Sequence, residues 1–447
     1  MAFEEVHASG EQITSLRLNP LKNRGFDIEG LQTSAVPWSQ YGYYLNRRPS
    51  FTFDPLFHAG CYYVQEASSM FLEQAVVQLA PLSKPLQVLD LCAAPGGKST
   101  HLQSLISSES TLVSNEVIRA RTNILVDNIK KWGAANVIVT NNDPAAFRKL
   151  TGYFDVIVVD APCSGSGLFR KDAEAIGEWS LNNVALCCHR QQRILADVLP
   201  ALKTNGLLIY STCSYSKEED EDIADWLVQE FSLKNERLKT EAAWGVVETK
   251  SLQTGSYGYR FFPDKAMGEG FFLSCFRKVE DDGEPVLKQR KADTAGAREK
   301  LLLQAFLKEG TTILKEGEQY FSLTDAAMGS YQQLHQFLNV QYKGVELGQL
   351  MKNKLVPAHG LALSTLLADE VPRKELTYNE AILYLQRQDL RLEVEATGWQ
   401  VVTYQKRPLG WINALPNRIN NYYPKELRIL KQGIPPPPEV LGLPAGE

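Results

Sequence analysis

The segment Val88-Leu89-Asp90-Leu91-Cys92-Ala93-Ala94-Pro95-Gly96-Gly97-Lys98-Ser99-Thr100 constrains this chain more than any other. It opens as a short apolar run, breaks at Pro-Gly-Gly, and resumes with helical spacing through Leu102 and Leu105. That is the pattern of a strand, a tight turn and a helix start. Glycines let a backbone come close to a ligand, and the free N–H groups of a helix N-terminus favour anionic or polar atoms. Gly97-Lys98-Ser99 imitates the end of a phosphate-binding P-loop, but that motif needs glycine where Cys92 stands. The dinucleotide fingerprint fails too, because Cys92 and Ala94 occupy its first two glycine positions. What remains is a loop for a nucleoside ligand held by backbone groups, with an ordinary strand-to-helix turn as the plain alternative.

Around this loop the hydrophobic period alternates. Strand patterns fall at 86–91, 111–115, 136–139, 154–160 and 206–211, separated by helical patterns such as 119–131 and 183–202. Such alternation predicts an α/β fold, a doubly wound and mostly parallel sheet with helices on both faces. Ligands bind outside the carboxyl ends of the strands in such sheets. A late apolar run at 270–276 is expected as a further, edge strand.

Upstream, the stretch Leu16-Arg17-Leu18-Asn19 and the aromatic-rich segment 38–57 precede a helix expected at 67–79. The apolar pattern lapses at 277–300, through Glu280-Asp281-Asp282-Gly283-Glu284-Pro285. The expected division is therefore an N-terminal lobe at 1–60, an α/β domain at 61–279, a linker at 280–300 and a mixed α/β unit at 301–447. The short proline run at 435–438 reads as a solvated tail.

Composition removes several classes of function. No apolar run reaches the ~18 residues that a membrane span needs, and residues 1–10 lack the apolar segment of a secretory leader. A cytoplasmic monomer is the expectation. The seven cysteines are odd in number and thinly spread, with no zinc-like spacing, so reduced thiols and no metal are expected. A net charge of −5 leaves any RNA contact to local basic patches.

Polar residues recur at the ends of the strands, on the edge that carries the glycine loop. Glu116 follows the second strand, where an acid accepts a ribose hydroxyl pair, and Asp143 follows the third, placed to receive an adenine amino group. The fourth strand ends in Asp160-Ala161-Pro162-Cys163-Ser164-Gly165 and the fifth in Ser211-Thr212-Cys213-Ser214. Any single acid of this kind is commonly a helix cap or turn former. Neighbouring fourth and fifth strands would bring Cys163 and Cys213 into one cleft, with Asp160 between them.

A cysteine beside an acid suits an electron-poor ring. Carbon 5 of cytosine is unreactive until a nucleophile adds at carbon 6, and a thiolate is a strong one. A carboxyl group at N3 stabilises the resulting charge, after which carbon 5 takes a methyl group from a sulfonium donor. Loss of the carbon 5 proton and expulsion of the cysteine close the cycle. Cys213, Cys163 and Asp160 supply the thiols and the acid.

These residues resemble the RNA cytosine-5 methyltransferases of the Sun type over nearly the whole chain. The resemblance is carried by 90–100, by Asn115-Glu116 with Arg121, by 160–165, by Phe169-Arg170-Lys171, by Arg190-Gln191 and by Ser211-Thr212-Cys213. It implies a Rossmann-like class I methyltransferase fold, with S-adenosylmethionine held by Cys92, Ala93, Ala94, Pro95, Gly96, Gly97, Lys98, Glu116, Arg121, Asp143 and Asp160. It also implies Cys213 as nucleophile, Cys163 in product release, and ribosomal RNA of the small (30S) subunit as the substrate. Ser166 and Asp220 depart from the family pattern, where Glu and Asn are usual, and the N-terminal RNA-binding lobe is expected to be short.

The last unit is similar to the PUA-like RNA-binding modules of this family. Lys406, Arg407, Arg418 and Arg428 are expected to track phosphates, with Trp411 interleaved for base stacking; a solvated hairpin with core aromatics is the competing reading. Two rivals stand against the whole assignment. A DNA cytosine-5 methyltransferase would use the Pro162-Cys163 thiol, and a non-catalytic RNA-binding assembly factor would need neither cysteine.

Overall fold

The computed structural model describes residues 3–22, 33–172, 174–280, 283, 287–394 and 396–437. Part of the expected linker (281, 282 and 284–286) and Pro438 lie outside the described residues.

The N-terminal lobe begins with a short helix α1 (Phe3–Ala8). A four-stranded sheet follows, built from β1 (Thr14–Leu18), β2 (Thr33–Ala35), β3 (Gly42–Leu45) and β4 (Tyr62–Val64) in the order β2-β3-β1-β4. Helices α2 (Pro55–His58) and α3 (Leu72–Leu79) flank β4 in sequence. Because β4 pairs antiparallel with β1, a boundary at residue 60 would cut this sheet, so the lobe runs past it. Every residue of β1 is buried, Arg17 included. Its guanidinium donates to Gln65 Oε1 at 2.9 Å and to Thr100 Oγ1 at 2.7 Å, and lies 4.6 Å from the Trp132 ring centroid. Burial lowers its pKa to about 9. The lobe is thereby keyed into the helix that follows the glycine loop.

The central sheet contains the predicted parallel core. Its strands β5 (Gln87–Asp90), β6 (Thr111–Asn115), β7 (Val137–Thr140), β8 (Phe154–Asp160) and β9 (Leu202–Thr212) run parallel in the order β7-β6-β5-β8-β9. Between them lie α4 (Gly97–Leu105), α5 (Arg119–Trp132), α6 (Glu174–Glu178) and α7 (Leu181–Val198), and α8 (Glu221–Phe231) follows β9. The strand order reverses between β5 and β8, which places the switch point beside the glycine loop. The sheet is extended by β10 (Leu233–Glu236), β11 (Val247–Lys250), β12 (Tyr257–Phe261) and β13 (Phe271–Lys278), all antiparallel.

The strand expected at an edge is β13, and it lies inside the sheet. It pairs with β9 on one side and with β12 and β10 on the other. A continuous apolar run marks a strand covered on both faces, and residues 271–276 are all buried.

The unit expected at 301–447 is divided. After α9 (Ala297–Gln304), strands β14 (Thr312–Glu316) and β15 (Gln319–Leu323) lead to α10 (Asp325–Leu334), then β16 (Val340–Lys343), β17 (Val345–Met351) and β18 (Lys354–Pro357). Strand β16 leaves this unit to pair with β7, completing a ten-stranded central sheet. Past α11 (His359–Leu363), a separate four-stranded sheet contains β19 (Arg373–Glu375), β20 (Gly398–Tyr404), β21 (Arg407–Leu415) and β22 (Arg418–Asn421), with α12 (Tyr378–Leu385) between β19 and β20.

The domains meet at the end of α5. The last carbonyls of a helix lack partners within it, and here other domains supply them. Lys22 Nζ donates to Lys131 O, Asn19 Nδ2 to Trp132 O, and Thr365 N to Gly133 O. Cationic Lys22 also suits the negative end of the helix. Among the described residues, no helix is long and apolar enough to cross a membrane, and no group of three or more His, Cys, Asp or Glu is arranged to hold a metal ion.

Candidate active site

The glycine loop leaves β5 at Asp90 and enters α4 at Gly97. Gly96 has φ +115°, a backbone region that side chains disfavour. Helix α5 fixes the loop from outside: Arg121 Nη2 donates to Ala94 O at 2.7 Å and Asn128 Nδ2 to Pro95 O at 2.8 Å. Arg121 thereby shapes the loop. Asp90 is fully buried; Ser99 Oγ donates to its Oδ2, while Oδ1 has no protein partner. Burial raises the Asp90 pKa to about 7.

A cavity of about 180 Å³ opens over this loop. Cys92, Ala93, Ala94, Pro95, Gly97, Lys98 and Asp160 form one wall, and Tyr63, Gln65, Glu66 and Ser69 from the N-terminal lobe form the other. The lobe's contribution escaped the sequence reading, although the polar cluster Gln65-Glu66-Ala67-Ser68-Ser69 next to an apolar strand signalled it.

Glu116 is buried at the end of β6, where Oε1 accepts from Ile118 N at 2.8 Å and Oε2 lies 3.5 Å from Arg121 Nη1. Beside it Val117 and Ile118 are half exposed, an apolar surface next to an acid. Asp143 lies beyond β7, half exposed. Its carboxylate accepts from Ala145 N at 3.0 Å and faces Arg193 Nη1 at 3.2 Å. The Ala145 N–H and the Arg193 charge hold its pKa below the usual range, against the opposing effect of partial burial.

Strands β8 and β9 are neighbours, with Asp160 opposite Ser211. The Cys163 and Cys213 sulfurs beyond them are 2.9 Å apart. The hydrogen bond with Cys213, and then burial, push the Cys163 thiol well above its ordinary pKa. Asp160 does not sit between the two cysteines. Its Oδ2 is 2.8 Å from Lys98 Nζ, and its Oδ1 accepts from Ser211 Oγ at 2.8 Å. It ends β8 while Cys163 comes a turn later, so the thiols touch directly and the carboxylate flanks them. Burial disfavours the Lys98 charge, but Asp160 outweighs it and the net pKa is raised, with Cys213 near enough to contribute. Lys98, expected only among the cofactor residues, thus also pairs with Asp160 and comes near Cys213.

The two cysteine loops are locked together. Gly167 N donates to Cys213 O at 2.9 Å, and a Cβ at Gly167 would stand 2.7 Å from that oxygen. The departures Ser166 and Asp220 brace the Cys213 loop. Ser166 Oγ accepts from Tyr215 N at 2.8 Å; Asp220 Oδ1 accepts from Thr212 Oγ1 at 2.5 Å and its Oδ2 lies 2.9 Å from Arg260. Glu219, which the sequence reading passed over, contacts both loops.

The expected C-terminal patch does not hold as one surface. Trp411 is buried, with Nε1 donating to Ala358 O at 2.9 Å, so it is a core residue and stacks on no base. The strand is covered on both faces from Leu409 to Ile412, which encloses it. Lys406, Arg418 and Arg428 are exposed and Arg407 is half buried. Lys406 precedes β21 and Arg418 follows it, so a strand about 25 Å long separates them.

Comparison with known proteins agrees with this geometry. The family described as 16S rRNA methyltransferase RsmB/F matches residues 76–277, the N-terminal domain of RsmF matches 1–67, and the RsmF PUA domain matches 372–429. Ribosomal RNA small subunit methyltransferase F of Aeromonas salmonicida is 31% identical across 92% of this chain and 90% of its own. The chain belongs to the RsmB/F family of 16S rRNA methyltransferases. Its Shewanella piezotolerans relative of the same description is 28% identical over the same shares. Among solved structures, a methyltransferase homologue from Pyrococcus horikoshii aligns with a TM-score of 0.53 at 31% identity, covering 62% of this chain and 89% of that one. NSun6 from Pyrococcus horikoshii with SFG shares the fold at 19% identity and a TM-score of 0.50, covering 62% and 94%. The RsmB/F match spans the glycine loop and both cysteines.

Proposed function

We propose that this chain transfers a methyl group from S-adenosylmethionine to carbon 5 of a cytosine in small-subunit ribosomal RNA, through a covalent bond between Cys213 Sγ and carbon 6. The observation that carries this is the contact of the two thiols at 2.9 Å, at the ends of neighbouring parallel strands and beside a nucleoside-type loop.

The residues present fit the cofactor. A buried Asp90 oxygen without a protein partner lies beneath the loop. Half-exposed Val117 and Ile118 beside buried Glu116 suit an adenosine whose ribose hydroxyls donate to the acid. Cys92 to Lys98, Gln65 and Glu66 would hold the remainder. S-adenosylmethionine supplies an electrophilic methyl group.

The chain's own residues do the rest. Cys213 Sγ adds to carbon 6, and the displaced ring electrons place negative charge toward N3. The Lys98 ammonium, held 2.8 Å from Asp160 and near enough to Cys213 to feel it, supplies the hydrogen bond and positive charge that stabilise N3. After carbon 5 is methylated, solvent water takes its proton, the carbon–hydrogen electron pair re-forms the carbon 5–carbon 6 double bond, and the carbon 6–sulfur pair leaves on Cys213 Sγ. Cys163, whose thiol retains its proton beside Cys213, serves this release. Bisulfite sequencing of ribosomal RNA from cells with and without the protein, joined to methylation of purified small-subunit RNA in vitro, tests the reading. Unchanged 5-methylcytosine in the first and no transfer in the second would overturn it.

A further inference from the structure

Glu219 is fully buried between the two cysteine loops. Its Oε1 accepts from Ser164 N at 2.8 Å and from Gln191 Nε2 at 3.2 Å. Its Oε2 accepts from Ser164 Oγ at 2.5 Å and from Ser214 Oγ at 2.7 Å. Ser164 follows Cys163 and Ser214 follows Cys213, so one carboxylate grips the residue after each thiol. Gln191, on α7, also donates to Pro162 O at 3.1 Å, extending the hold to the residue before Cys163. Tyr210 Oη in turn donates to the Glu219 carbonyl at 2.6 Å, anchoring the backbone of Glu219 to β9.

Among the described residues Glu219 forms no ion pair, and a buried carboxylate is costly unless its lone pairs are filled. Four converging donors fill them, and hydrogen bonds to a charged acceptor are roughly twice as strong as neutral ones. The bonds from Gly167 N to Cys213 O and from Tyr215 N to Ser166 Oγ are independent of Glu219. They keep the loops adjacent through the Cys213 carbonyl and Tyr215, whereas Glu219 joins the residues that follow both thiols.

We propose that Glu219 is a positioning residue that sets the separation of the Cys163 and Cys213 thiols, and so couples release of the methylated base to attack. The coupling part rests on the assignment of Cys213 as nucleophile and Cys163 as the releasing group. A shift of an ångström in such a pair is enough to cost orders of magnitude in rate.

The thiol distance can be read without RNA or cofactor. Diamide takes two electrons and two protons from a pair of nearby thiols to give a disulfide, and peptide mass spectrometry identifies the Cys163–Cys213 link. Glu219→Ala is expected to slow that cross-link at least about tenfold, with melting temperature still showing a folded protein. Glu219→Gln keeps one acceptor for Ser164 N and Gln191 and offers an amide to the two hydroxyls, so it restores the rate. With RNA, Glu219→Ala should accumulate covalent adduct relative to methyl groups transferred, while its S-adenosylmethionine affinity stays within about twofold.

A folded Glu219→Ala variant with wild-type cross-linking and wild-type adduct turnover would overturn the proposal. Should Glu219→Ala fail to fold, the double change Ser164→Ala and Ser214→Ala removes the hydroxyl donors and leaves the carboxylate. Unaltered cross-linking in that variant overturns the proposal equally. Absence of methyl transfer by the wild-type protein would count against the methyltransfer reading, with the diamide measurement still judging Glu219.

Discussion

Lys98 Nζ stands 2.8 Å from Asp160 Oδ2, which joins the glycine loop after β5 to the end of β8 across the switch point of the sheet. The ammonium has its pKa raised despite burial, with Asp160 the leading counterweight. A preorganised positive charge at the place where the ring becomes negative is the kind of group whose loss costs about 10²–10³ in rate. Lys98→Met is therefore expected to lower kcat by that order, and Lys98→Arg not to restore it, since a planar fork does not replace a point charge. Steady-state kinetics with calorimetry on the cofactor checks this. A loss confined to cofactor affinity would return Lys98 to the cofactor loop alone.

Glu116 and Asp143 should differ in effect. Glu116 is buried beside the loop, so Glu116→Ala is expected to weaken S-adenosylmethionine binding by about 1–3 kcal/mol. Asp143 is half exposed and already engaged by Ala145 and Arg193, so Asp143→Ala should cost no more than about 1 kcal/mol. Calorimetric titration of both variants separates them, and equal losses would show that Asp143 turns toward the ligand when it binds.

Much of this site is legible in the sequence because it lies at strand ends. Once β8 and β9 are neighbouring parallel strands, Cys163 and Cys213 must approach, and the order of motifs says so. What was not legible depends on side chains reaching across elements. The Lys98–Asp160 pair joins the first turn of α4 to the end of β8, and nothing in the glycine motif says where the lysine points. The acidic run Glu218-Glu219-Asp220-Glu221-Asp222 reads as a solvated helix start, yet Glu219 and Asp220 are fully buried and Glu221 is only 6% exposed. Basic neighbours make Trp411 look like surface, although the strand is covered on both faces there. Strand β13 looks like an edge because sequence order does not reveal that β12 and β10 pair along its far side.

His101 should make its own contribution to the loss of stability as the pH falls. Its Nε2 is 2.9 Å from Glu73 Oε2, and burial followed by the Arg17 charge lowers its pKa from 6.5 to about 4. The folded protein then keeps the ring neutral while the unfolded chain protonates first. The contribution is complete above pH ~6.5 and is lost as the pH falls toward ~4, by about 3 kcal/mol in all. His101→Gln, which keeps a donor for Glu73, should flatten that part of the curve. Urea unfolding at a series of pH values reads the slope, and an identical slope in the variant would assign it elsewhere.

The C-terminal sheet separates packing from recognition. Trp411→Ala empties a core position and should cost about 3–5 kcal/mol of stability, without a specific loss of RNA affinity in protein that remains folded. Lys406, Arg418 and Arg428 are exposed, and each one that touches a phosphate lowers the salt slope by about 0.7–0.9 when removed. Single and triple variants titrated with RNA at several salt concentrations give the count. No change from any of them would place the RNA on another face.

The two cysteines are separated most sharply by what stays attached to RNA. Their sulfurs are in contact, so burial or exposure alone does not distinguish attacker from helper. If Cys213 attacks carbon 6, Cys213→Ala should abolish methylation and leave no covalent adduct. If Cys163 acts in the later release, Cys163→Ala should permit attack and methyl transfer, then stall as a protein–RNA adduct on a denaturing gel. The double variant should form none, which guards against a stray thiol. A DNA-type cytosine-5 enzyme predicts the reverse, with Cys163 as the attacking thiol, and a scaffold that merely binds RNA predicts no adduct from any variant. Adduct seen with Cys213→Ala and absent with Cys163→Ala would exchange the two roles, and with them the direction in which Glu219 couples one loop to the other.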